Sequence, residues 1–336
     1  MSERKCPSED RIKELLKQGK SVRDIAKEYS VSRQSLYRTM YKSITKEKKE
    51  NKSPLEKELA TIIKHKNLGK DELQNIINGF NKTNYQKYEP VKIDFPEDKV
   101  RFLVFGDCHM GHKEYRPDVM EKMILDAERS GCEFAVNCGD TIEGMSGRDG
   151  HIYELEKIGA TEQINYFAEQ FKKFKPGFNI YSIEASQSHS GWYGSKANAG
   201  LDIGKTLEEK SKNYKFIGYD EQDLILDSGL KIRLKHPGGG TAYAISYHMQ
   251  KYIESISGGQ KPHLLFQGHF HKAEYMFYRN IHGYDVGTLM NQSIFMKKTN
   301  TPAHIGYWIV DVKLNKNKDK DKMVERVTNT FVPFFE

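Results

Sequence analysis

Acidic and histidine side chains recur between residues 107 and 271 in short polar clusters, each of which follows a hydrophobic run. The clusters are GDCHMGH, NCGDTIEG, SQSHSGW, KHPGGG and GHFH. Their candidate functional side chains are Asp107, His109, Asp140, His189, His236, His269 and His271. Carboxylates and imidazoles together bind metals such as Mn, Fe and Zn, and an imidazole can also act as a general acid or base.

Each cluster alone is weak evidence, because a D-x-H triplet occurs by chance in many proteins. The hydrophobic runs predict strands over VRFLVFGD, CEFAVNCGD, FNIYSIEAS, KIRLKHP and HLLFQGH, with EYMFYRN and IGYWIVDV later in the chain. Helices are predicted over PDVMEKMILDAERSG, residues 152–174, a segment after Gly200 and TAYAISYHMQKYIESI. This alternation predicts a layered α/β sandwich. Because sites in open α/β folds lie at the carboxyl ends of strands, the clusters are expected to meet there.

Three consecutive glycines, Gly238, Gly239 and Gly240, follow Pro237 and precede the helix predicted from Thr241. Such a segment could let a phosphate approach backbone N–H groups. It could equally be a tight turn, and the sequence does not distinguish the two.

Residues 8–42 predict three short helices in a small all-α unit. The first, SEDRIKELLKQG, stops at Gly19, and the second begins at Ser21, which can cap it while Asp24 reaches back. The third is predicted from Ser32 to about Tyr41. The apolar residues expected to be buried are Ile12, Leu15, Leu16, Val22, Ile25, Ala26, Tyr29, Val31 and Leu36.

The segment SVRDIAKEYSVSRQSLYRTMYK resembles the helix-turn-helix of site-specific recombinases and bacterial regulators, with Ser30 where that family often has Gly. The resemblance implies that the second helix of the motif enters the major groove. The residues that it would then present to DNA, besides Ser32, are Arg33, Gln34, Ser35, Tyr37 and Arg38. Arg and Gln can hydrogen-bond to guanine and adenine edges. A three-helix protein-interaction module is the alternative.

The charge distribution favours DNA as a partner. The 336-residue chain has a net charge of +7. Lys and Arg outnumber Asp and Glu by 15 to 8 in residues 1–52, whereas the rest of the chain holds 38 of each. Because the excess positive charge coincides with the predicted helix-turn-helix, we expect an acidic polymer, above all DNA, to bind there.

Length and composition predict more than one domain and no membrane partner. No apolar run approaches the ~20 residues that span a bilayer, and MSERKCPSEDRIKELL lacks an apolar signal segment, so a cytoplasmic location is expected. The four cysteines show no C-x-x-C pairing and are expected to be reduced thiols. The predicted domains are a DNA-binding helix-turn-helix over 1–45, a lysine-rich linker and helical connector over 46–98, and a catalytic domain over 99–336. Within the connector, two amphipathic helices are predicted over residues 54–80 and an irregular stretch over 81–98.

The order of the polar clusters resembles that of the calcineurin-like metallophosphoesterases. That family has D-x-H, then G-D, G-N-H, H and G-H-x-H. The corresponding residues here are Asp107-Cys108-His109, Gly139-Asp140, Ser188-His189, His236 and Gly268-His269-Phe270-His271. GDCHMGHKEYR is also similar to the DNA-repair nuclease branch, and the whole chain to members with an N-terminal helix-turn-helix. The resemblance, over about residues 100–315, implies a four-layer α/β/β/α metallophosphoesterase sandwich with a small all-α helix-turn-helix domain.

This resemblance implies a site for two divalent metal ions. Asp140 is the expected bridging carboxylate, and His189 the expected general acid at the leaving oxygen. The nuclease branch implies Mn²⁺, with Fe or Zn as alternatives. Ser188 stands where the family has an Asn ligand, so the second ion is expected to bind more weakly. The expected ligands are Asp107, His109 and His271 for the first ion and His236 and His269 for the second.

Three functions remain open on the sequence. The first is a metal-dependent phosphodiesterase acting on DNA, a nuclease directed by the helix-turn-helix. The second is a phosphatase of nucleotides or phosphoproteins in which the helix-turn-helix is a regulatory DNA-binding module. The third is a DNA-binding protein whose metal site is disabled by Ser188. Because repair nucleases of the family and helix-turn-helix proteins often dimerise, a homodimer is expected.

Overall fold

A computed structural model of the chain describes residues 7–32, 35–36, 39, 89–194, 201–240, 242–315 and 323–335. The chain divides into two compact units, Met1–Ile77 and Asn78–Glu336. The helices predicted over residues 54–80 and most of the predicted linker lie outside the described residues. Within the described ranges, no helix is long and apolar enough to cross a membrane.

Two helices, α1 (Glu9–Lys17) and α2 (Val22–Glu28), form most of the described N-terminal unit. The predicted capping box is present, because the Ser21 hydroxyl accepts from the Asp24 N–H and the Asp24 carboxylate accepts from the Ser21 N–H. All nine residues expected to be buried lie in or against one hydrophobic cluster. In the third predicted helix, the described residues Ser35, Leu36 and Thr39 are helical.

The larger unit contains twelve described strands in two sheets of six. In chain order they are β1 (Val91–Ile93), β2 (Lys99–Phe105), β3 (Phe134–Asn137), β4 (Asn179–Glu184), β5 (Tyr214–Tyr219), β6 (Glu221–Leu226), β7 (Lys231–Lys235), β8 (Leu264–Gln267), β9 (Ala273–Tyr278), β10 (Ile281–Val286), β11 (Gly306–Leu314) and β12 (Val324–Pro333). One sheet has the order β1-β6-β7-β8-β10-β9 and the other β12-β11-β2-β3-β4-β5.

Helices cover the outer face of each sheet. They are α3 (Pro117–Arg129), α4 (Ala160–Phe174), α5 (Ile203–Lys210), α6 (Tyr247–Ser255) and α7 (Ile294–Thr299), with single turns at His151–Glu154, Ser190–Trp192 and Gly258–Gln260. Met123, Phe167 and Leu207, from α3, α4 and α5, belong to the cluster against the β2-containing sheet. Met249 and Ile253 of α6 pack on the other sheet.

A second large cluster fills the space between the two sheets, with Phe102 and Val104 from one sheet and Leu224 and Phe266 from the other. Two sheets enclosed by helices on both outer faces form the four-layer α/β/β/α sandwich. The predicted fold class is therefore confirmed.

Parallel pairing brings the polar clusters to the carboxyl ends of neighbouring strands. Strands β2, β3 and β4 are parallel neighbours in one sheet, and β7 and β8 are parallel neighbours in the other. Each candidate residue follows the end of one of these five strands. Asp107 and His109 follow β2, Asp140 follows β3, His189 follows β4, His236 follows β7, and His269 and His271 follow β8.

Two predicted helices begin later than expected. The helix predicted from residue 152 begins at Ala160, because Gly159 adopts φ +88 and the preceding residues form a separate 3-10 turn. The helix predicted from Thr241 begins at Tyr247. Strand β1 lies in a stretch predicted to be irregular, and it pairs in parallel with β6.

Candidate metal centre

The loops at the strand ends bring two sets of three potential ligands together. Within each set the ligand atoms all lie within 4.8 Å of one another. A third set of the same kind, His109, Glu143 and His189, shares His109 with the first. The two main sets are Asp107, His109 and His271, and Asp140, His236 and His269. The structure therefore places all seven sequence-predicted side chains in these three sets.

The first set has two imidazole nitrogens beside one carboxylate. His271 Nε2 lies 3.0 Å from His109 Nε2 and 3.4 Å from Asp107 Oδ1. The backbone N–H of His269 donates to both Asp107 oxygens at 2.9 and 3.0 Å, which fixes that carboxylate. Converging imidazole and carboxylate atoms form a donor set that suits Mn, Fe or Zn.

The second set contains buried polar atoms that have no partner within the described part of the chain. His236 Nδ1 donates to the Cys138 carbonyl oxygen at 2.7 Å, and His269 Nε2 donates to the Gly239 carbonyl oxygen at 2.7 Å. Each imidazole is thereby left with one further nitrogen. His269 Nδ1 is buried without a hydrogen-bond partner among the described residues, and His236 Nε2 lies 3.0 Å from Asp140 Oδ2. Asp140 Oδ1 is also buried without a hydrogen-bond partner. Such orphaned atoms, on rings already fixed by backbone carbonyls, fit a bound cation.

Charge and burial separate the histidines into two types. Burial, reinforced by the neighbouring His189, lowers the pKa of His109 to about 4, and burial with the neighbouring His236 does the same for His269. Burial opposes ionisation of His236 and Asp140 as well, but their mutual attraction outweighs it. The pKa of His236 rises to about 10 and that of Asp140 falls well below its usual range. Each main set therefore offers at least one neutral imidazole, the form that binds metals.

Six of the seven side chains stand on left-handed backbone. Non-glycine residues are uncommon in that region, and each costs on the order of 1 kcal/mol or more, so such residues cluster at functional sites. The φ values are 52° at Asp107, 55° at His109, 50° at Asp140, 39° at His189, 81° at His269 and 54° at His271.

Close approach of the loops also explains Gly139 and Gly268. A Cβ on Gly268 would lie 2.8 Å from Asp107 Oδ2 and from the Cys138 carbonyl oxygen. A Cβ on Gly139, which has φ +99, would lie 2.7 Å from His236 Nδ1. A methyl group at either position would displace a candidate ligand.

Glu143 is a site residue that the sequence analysis missed. Its Oε2 accepts from His109 Nδ1 at 2.7 Å and lies 3.3 Å from His189 Nδ1, and its Oε1 accepts from His151 Nε2 at 2.7 Å. By holding the Nδ1–H of His109, Glu143 leaves Nε2 of that ring directed at Asp107 and His271. The available signal was an acidic residue three positions after Asp140 in GDTIEG.

His189 stands beside both main carboxylates of the β3 loop. Its Nδ1 lies 3.2 Å from the Glu143 carbonyl oxygen, and its Nε2 lies 3.8 Å from Asp140 Oδ2. Burial favours the neutral ring, but Asp140 and Glu143 outweigh it and raise the pKa of His189 to about 9. The Trp192 ring packs on the imidazole with 4.6 Å between centroids. The two carboxylates thus favour the protonated form of His189, which is partly exposed.

The buried carboxyl group of Glu184 connects the loops that follow β3 and β4 through hydrogen bonds. Glu184 accepts hydrogen bonds from the Thr141 hydroxyl, from Tyr214 OH at 2.5 Å and from Ser190 Oγ at 2.7 Å. Thr141 follows Asp140 and Ser190 follows His189. Glu184 therefore links the backbone positions of these two site residues.

Of the six residues predicted to face DNA, the structure describes Ser32 and Ser35. The backbone N–H of Ser35 donates to Ser32 Oγ at 3.1 Å, an N-cap arrangement for the third helix. The other four predicted contacts, Arg33, Gln34, Tyr37 and Arg38, lie outside the described residues.

Residues 4–43 match the family model for the helix-turn-helix domain of resolvase, which confirms the resemblance of the N-terminal segment. No curated protein matches the chain.

Solved structures similar to this chain are phosphoesterase-like proteins of low identity. An archaeal phosphodiesterase is 14% identical, with 69% of this chain and 100% of that one covered and a TM-score of 0.37. A Streptococcus pneumoniae protein described as a predicted phosphoesterase is 13% identical, covering 70% and 99%, with a TM-score of 0.34. Vacuolar protein sorting 29 from Cryptosporidium parvum is 12% identical, covering 71% and 100%, with a TM-score of 0.36.

Proposed function

We propose that the protein is a metal-dependent phosphodiesterase that cleaves DNA and is directed to it by its helix-turn-helix. The observation that carries this proposal is the second ligand set, in which Asp140, His236 and His269 converge at a buried site next to the first set. Asp140 Oδ1 and His269 Nδ1 have no hydrogen-bond partner there among the described residues. A buried arrangement of this kind is costly unless a cation completes it.

Asp107, His109 and His271 would hold one divalent ion and His236 and His269 a second, with Asp140 bridging them. Mixed imidazole and carboxylate donors fit Mn²⁺, with Fe or Zn as alternatives. Bound there, two such ions would supply Lewis acidity to the phosphoryl oxygen and lower the pKa of an attacking water.

His189 is the proposed general acid. A phosphodiester needs a proton on its departing oxygen, and the contact of His189 with Glu143 stabilises the imidazolium that would supply it. Since Nδ1 faces the carbonyl and carboxylate oxygens of Glu143, Nε2 is the atom left to donate. Glu143 orients His189 and His109 together, and His151, whose Nδ1 accepts from the Ser146 N–H, fixes Glu143 from the other side.

The N-terminal unit supports DNA as the polymer that is cleaved. Residues 4–43 match a DNA-binding family model, and the excess positive charge lies in residues 1–52. We propose that the DNA contacts are made by Arg33, Gln34, Ser35, Tyr37 and Arg38. The proposed domains are the DNA-binding helix-turn-helix over 1–45, the connector over 46–98 and the catalytic domain over 99–336. A homodimer in the cytoplasm completes the proposal, since helix-turn-helix proteins commonly bind two half-sites as dimers.

The test uses purified protein, Mn²⁺ and end-labelled single- and double-stranded DNA, with bis-p-nitrophenyl and mono-p-nitrophenyl phosphate in parallel. We expect cleavage of DNA and of the small diester, both abolished in Asp140→Asn. That variant is the control, because a contaminating nuclease would survive it. Intact DNA with Asp140-dependent turnover of the monoester would instead support the phosphatase with a regulatory helix-turn-helix.

A further inference from the structure

The described residues 238–240 and 242–247, called here the 238–247 segment, run from just after β7 to the first residue of α6 and are fixed to the loop that carries the last two candidate ligands. His269 Nε2 donates to the Gly239 carbonyl, and Lys272 Nζ donates to the Ala242 carbonyl at 2.9 Å. The buried ring of Phe270 stacks on His248, directly after the segment, with 4.3 Å between centroids. The 238–247 segment therefore forms one wall beside the candidate metal centre.

The fold itself does not demand glycine at positions 238 and 240. A Cβ added at Gly238, Gly239 or Gly240 would meet nothing within 4 Å, and of the three only Gly239 has a left-handed φ, of +103°. These exposed glycines closely follow His236, a candidate ligand that is 3% exposed. Exposed backbone without side chains, directly after a candidate metal ligand, is suited to close approach by an anionic backbone.

The same segment exposes an aromatic surface. Tyr243 is fully exposed, at 106%, and Tyr247 is 47% exposed. Lys251 Nζ lies 5.7 Å from the Tyr247 ring centre, so a cation accompanies the second ring. Tyr243 lies four positions after Gly239, which keeps their Cα atoms within ~14 Å of each other. Exposed aromatic rings grouped at a polar site mark a ligand surface.

We infer that the 238–247 segment binds the unpaired strand of a polynucleotide beside the phosphodiester that is cleaved. The phosphate backbone of that strand would pass over Gly238 and Gly240, and a base would stack on Tyr243, the more exposed of the two rings. A base presents its face for stacking only when its strand is unpaired, so the segment selects single-stranded or frayed DNA over intact duplex. This inference rests on the proposed function and adds the substrate form.

The test compares kcat/KM for a labelled single-stranded oligonucleotide with kcat/KM for bis-p-nitrophenyl phosphate, in the full chain with Mn²⁺. The oligonucleotide-to-diester ratio should fall about 5- to 150-fold in Tyr243→Ala, the range for loss of one base stack, and be largely retained in Tyr243→Phe. It should also fall in the double variant Gly238→Ala, Gly240→Ala.

The matched control is Gly258→Ala with Gly259→Ala, two glycines outside the segment at which a Cβ would likewise meet nothing within 4 Å. This pair should leave the ratio as in the wild type. A ratio unchanged in the Tyr243 and Gly238–Gly240 variants overturns the inference and would leave the aromatic surface for a protein partner. An equal loss on both substrates also overturns it, because the segment would then only support the metal centre.

Failure of the inference and failure of the proposed function give different results. If the wild type cleaves DNA, and the Tyr243 and Gly238–Gly240 variants keep the wild-type oligonucleotide-to-diester ratio, the inference alone is wrong. If the wild type hydrolyses the small diester but no oligonucleotide, the nuclease proposal is wrong, and the inference falls with it.

Discussion

Asp107 and Asp140 are both fully buried, yet their surroundings differ. The Asp107 oxygens accept two hydrogen bonds from one backbone N–H, and its carbonyl oxygen accepts from Thr288 Oγ1 at 2.8 Å. The Asp140 carboxylate accepts no backbone hydrogen bond within the described chain. Its Oδ2 lies 3.0 Å from His236 Nε2, a candidate ligand of the same set, and its Oδ1 has no hydrogen-bond partner among the described residues. Asp140 therefore keeps more coordinating capacity, which supports the proposal that it is the shared ligand.

Ser188 is the residue that should weaken binding of the second ion. The half-buried Ser188 follows Gln187, whose side chain is exposed. Because an amide oxygen is a better ligand than a neutral hydroxyl, Ser188→Asn should raise the affinity for the second Mn²⁺ by roughly tenfold, within the range of single-ligand effects. Isothermal titration with Mn²⁺ would measure both sites. Equal tight occupancy of both sites in wild type and variant would contradict the prediction.

Asp285 should make stability depend on pH. Burial, with smaller effects of neighbouring charges, raises its pKa to about 8, while Gln267 Nε2 donates to it at 3.0 Å. Between pH 4 and 8 the unfolded chain loses a proton that the folded chain keeps, so the free energy of unfolding falls as pH rises. Asp285→Asn keeps an acceptor and removes this penalty.

Asp285→Asn should raise the free energy of unfolding by an amount on the order of a few kcal/mol at pH 8, and this gain should shrink towards zero at pH 4. Thermal unfolding across that range would measure it. EDTA should be present throughout, because a cation at Asp107 would alter the charge near Asp285. A gain of the same size at pH 4 and pH 8 would show that ionisation of Asp285 is not its cause.

At the scale of elements, the sequence predicts features that depend on neighbouring residues, but it does not predict contacts between residues that are distant in the chain. The Ser21 capping box and the apolar runs before Asp107 and Asp140 depend on neighbouring residues, and the sequence predicts them correctly. The start of α4 is different, because residues His151–Glu154 form a separate 3-10 turn, in which His151 Nε2 donates a hydrogen bond to Glu143. Glu143 in turn contacts His109, 34 residues away, a contact that no local pattern reveals.

The two described N-terminal helices end in the same motif with different residues. After α1 the N–H of Lys20 bonds to the Leu15 carbonyl around Gly19, which has φ +85, and after α2 the N–H of Val31 bonds to the Ala26 carbonyl around Ser30, which has φ +51. This is the Schellman arrangement, in which glycine avoids the strain of a Cβ. Ser30 therefore carries a strain that Gly19 does not.

Ser30→Gly should stabilise the α2 end by about 0.5–1 kcal/mol, and Gly19→Ser should destabilise the α1 end by a similar amount. The Gly19 site is a fair comparison, because an added Cβ there would meet nothing within 4 Å. Hydrogen exchange of the Lys20 and Val31 amides in the full chain would report each helix end. Lower protection of Val31 in Ser30→Gly would contradict the account.

At the scale of the whole molecule, the two units divide the proposed work. The larger unit holds the candidate metal centre, and the chain outside residues 1–52 carries equal numbers of basic and acidic residues. A catalytic unit without excess positive charge gains little from electrostatic attraction to a polyanion. Delivery of duplex DNA should therefore depend on the N-terminal unit.

Arg33→Ala and Arg38→Ala in the full chain should each weaken duplex binding by about 5- to 150-fold, as expected for loss of an arginine contact to guanine. Duplex cleavage at limiting protein should fall in parallel, and bis-p-nitrophenyl phosphate turnover, measured in the same samples, is the reference for an intact metal centre. Fluorescence anisotropy at several salt concentrations would give the affinities.

Arg11→Ala is the matched control for those two variants. Arg11 lies in α1, where it pairs with Glu14 at 2.6 Å, so the change removes the same charge from the same unit outside the predicted recognition helix. A loss in Arg33→Ala and Arg38→Ala well beyond that in Arg11→Ala would support groove recognition. Equal small losses in all three would indicate attraction by net charge alone, and unchanged binding would favour the three-helix protein-interaction module.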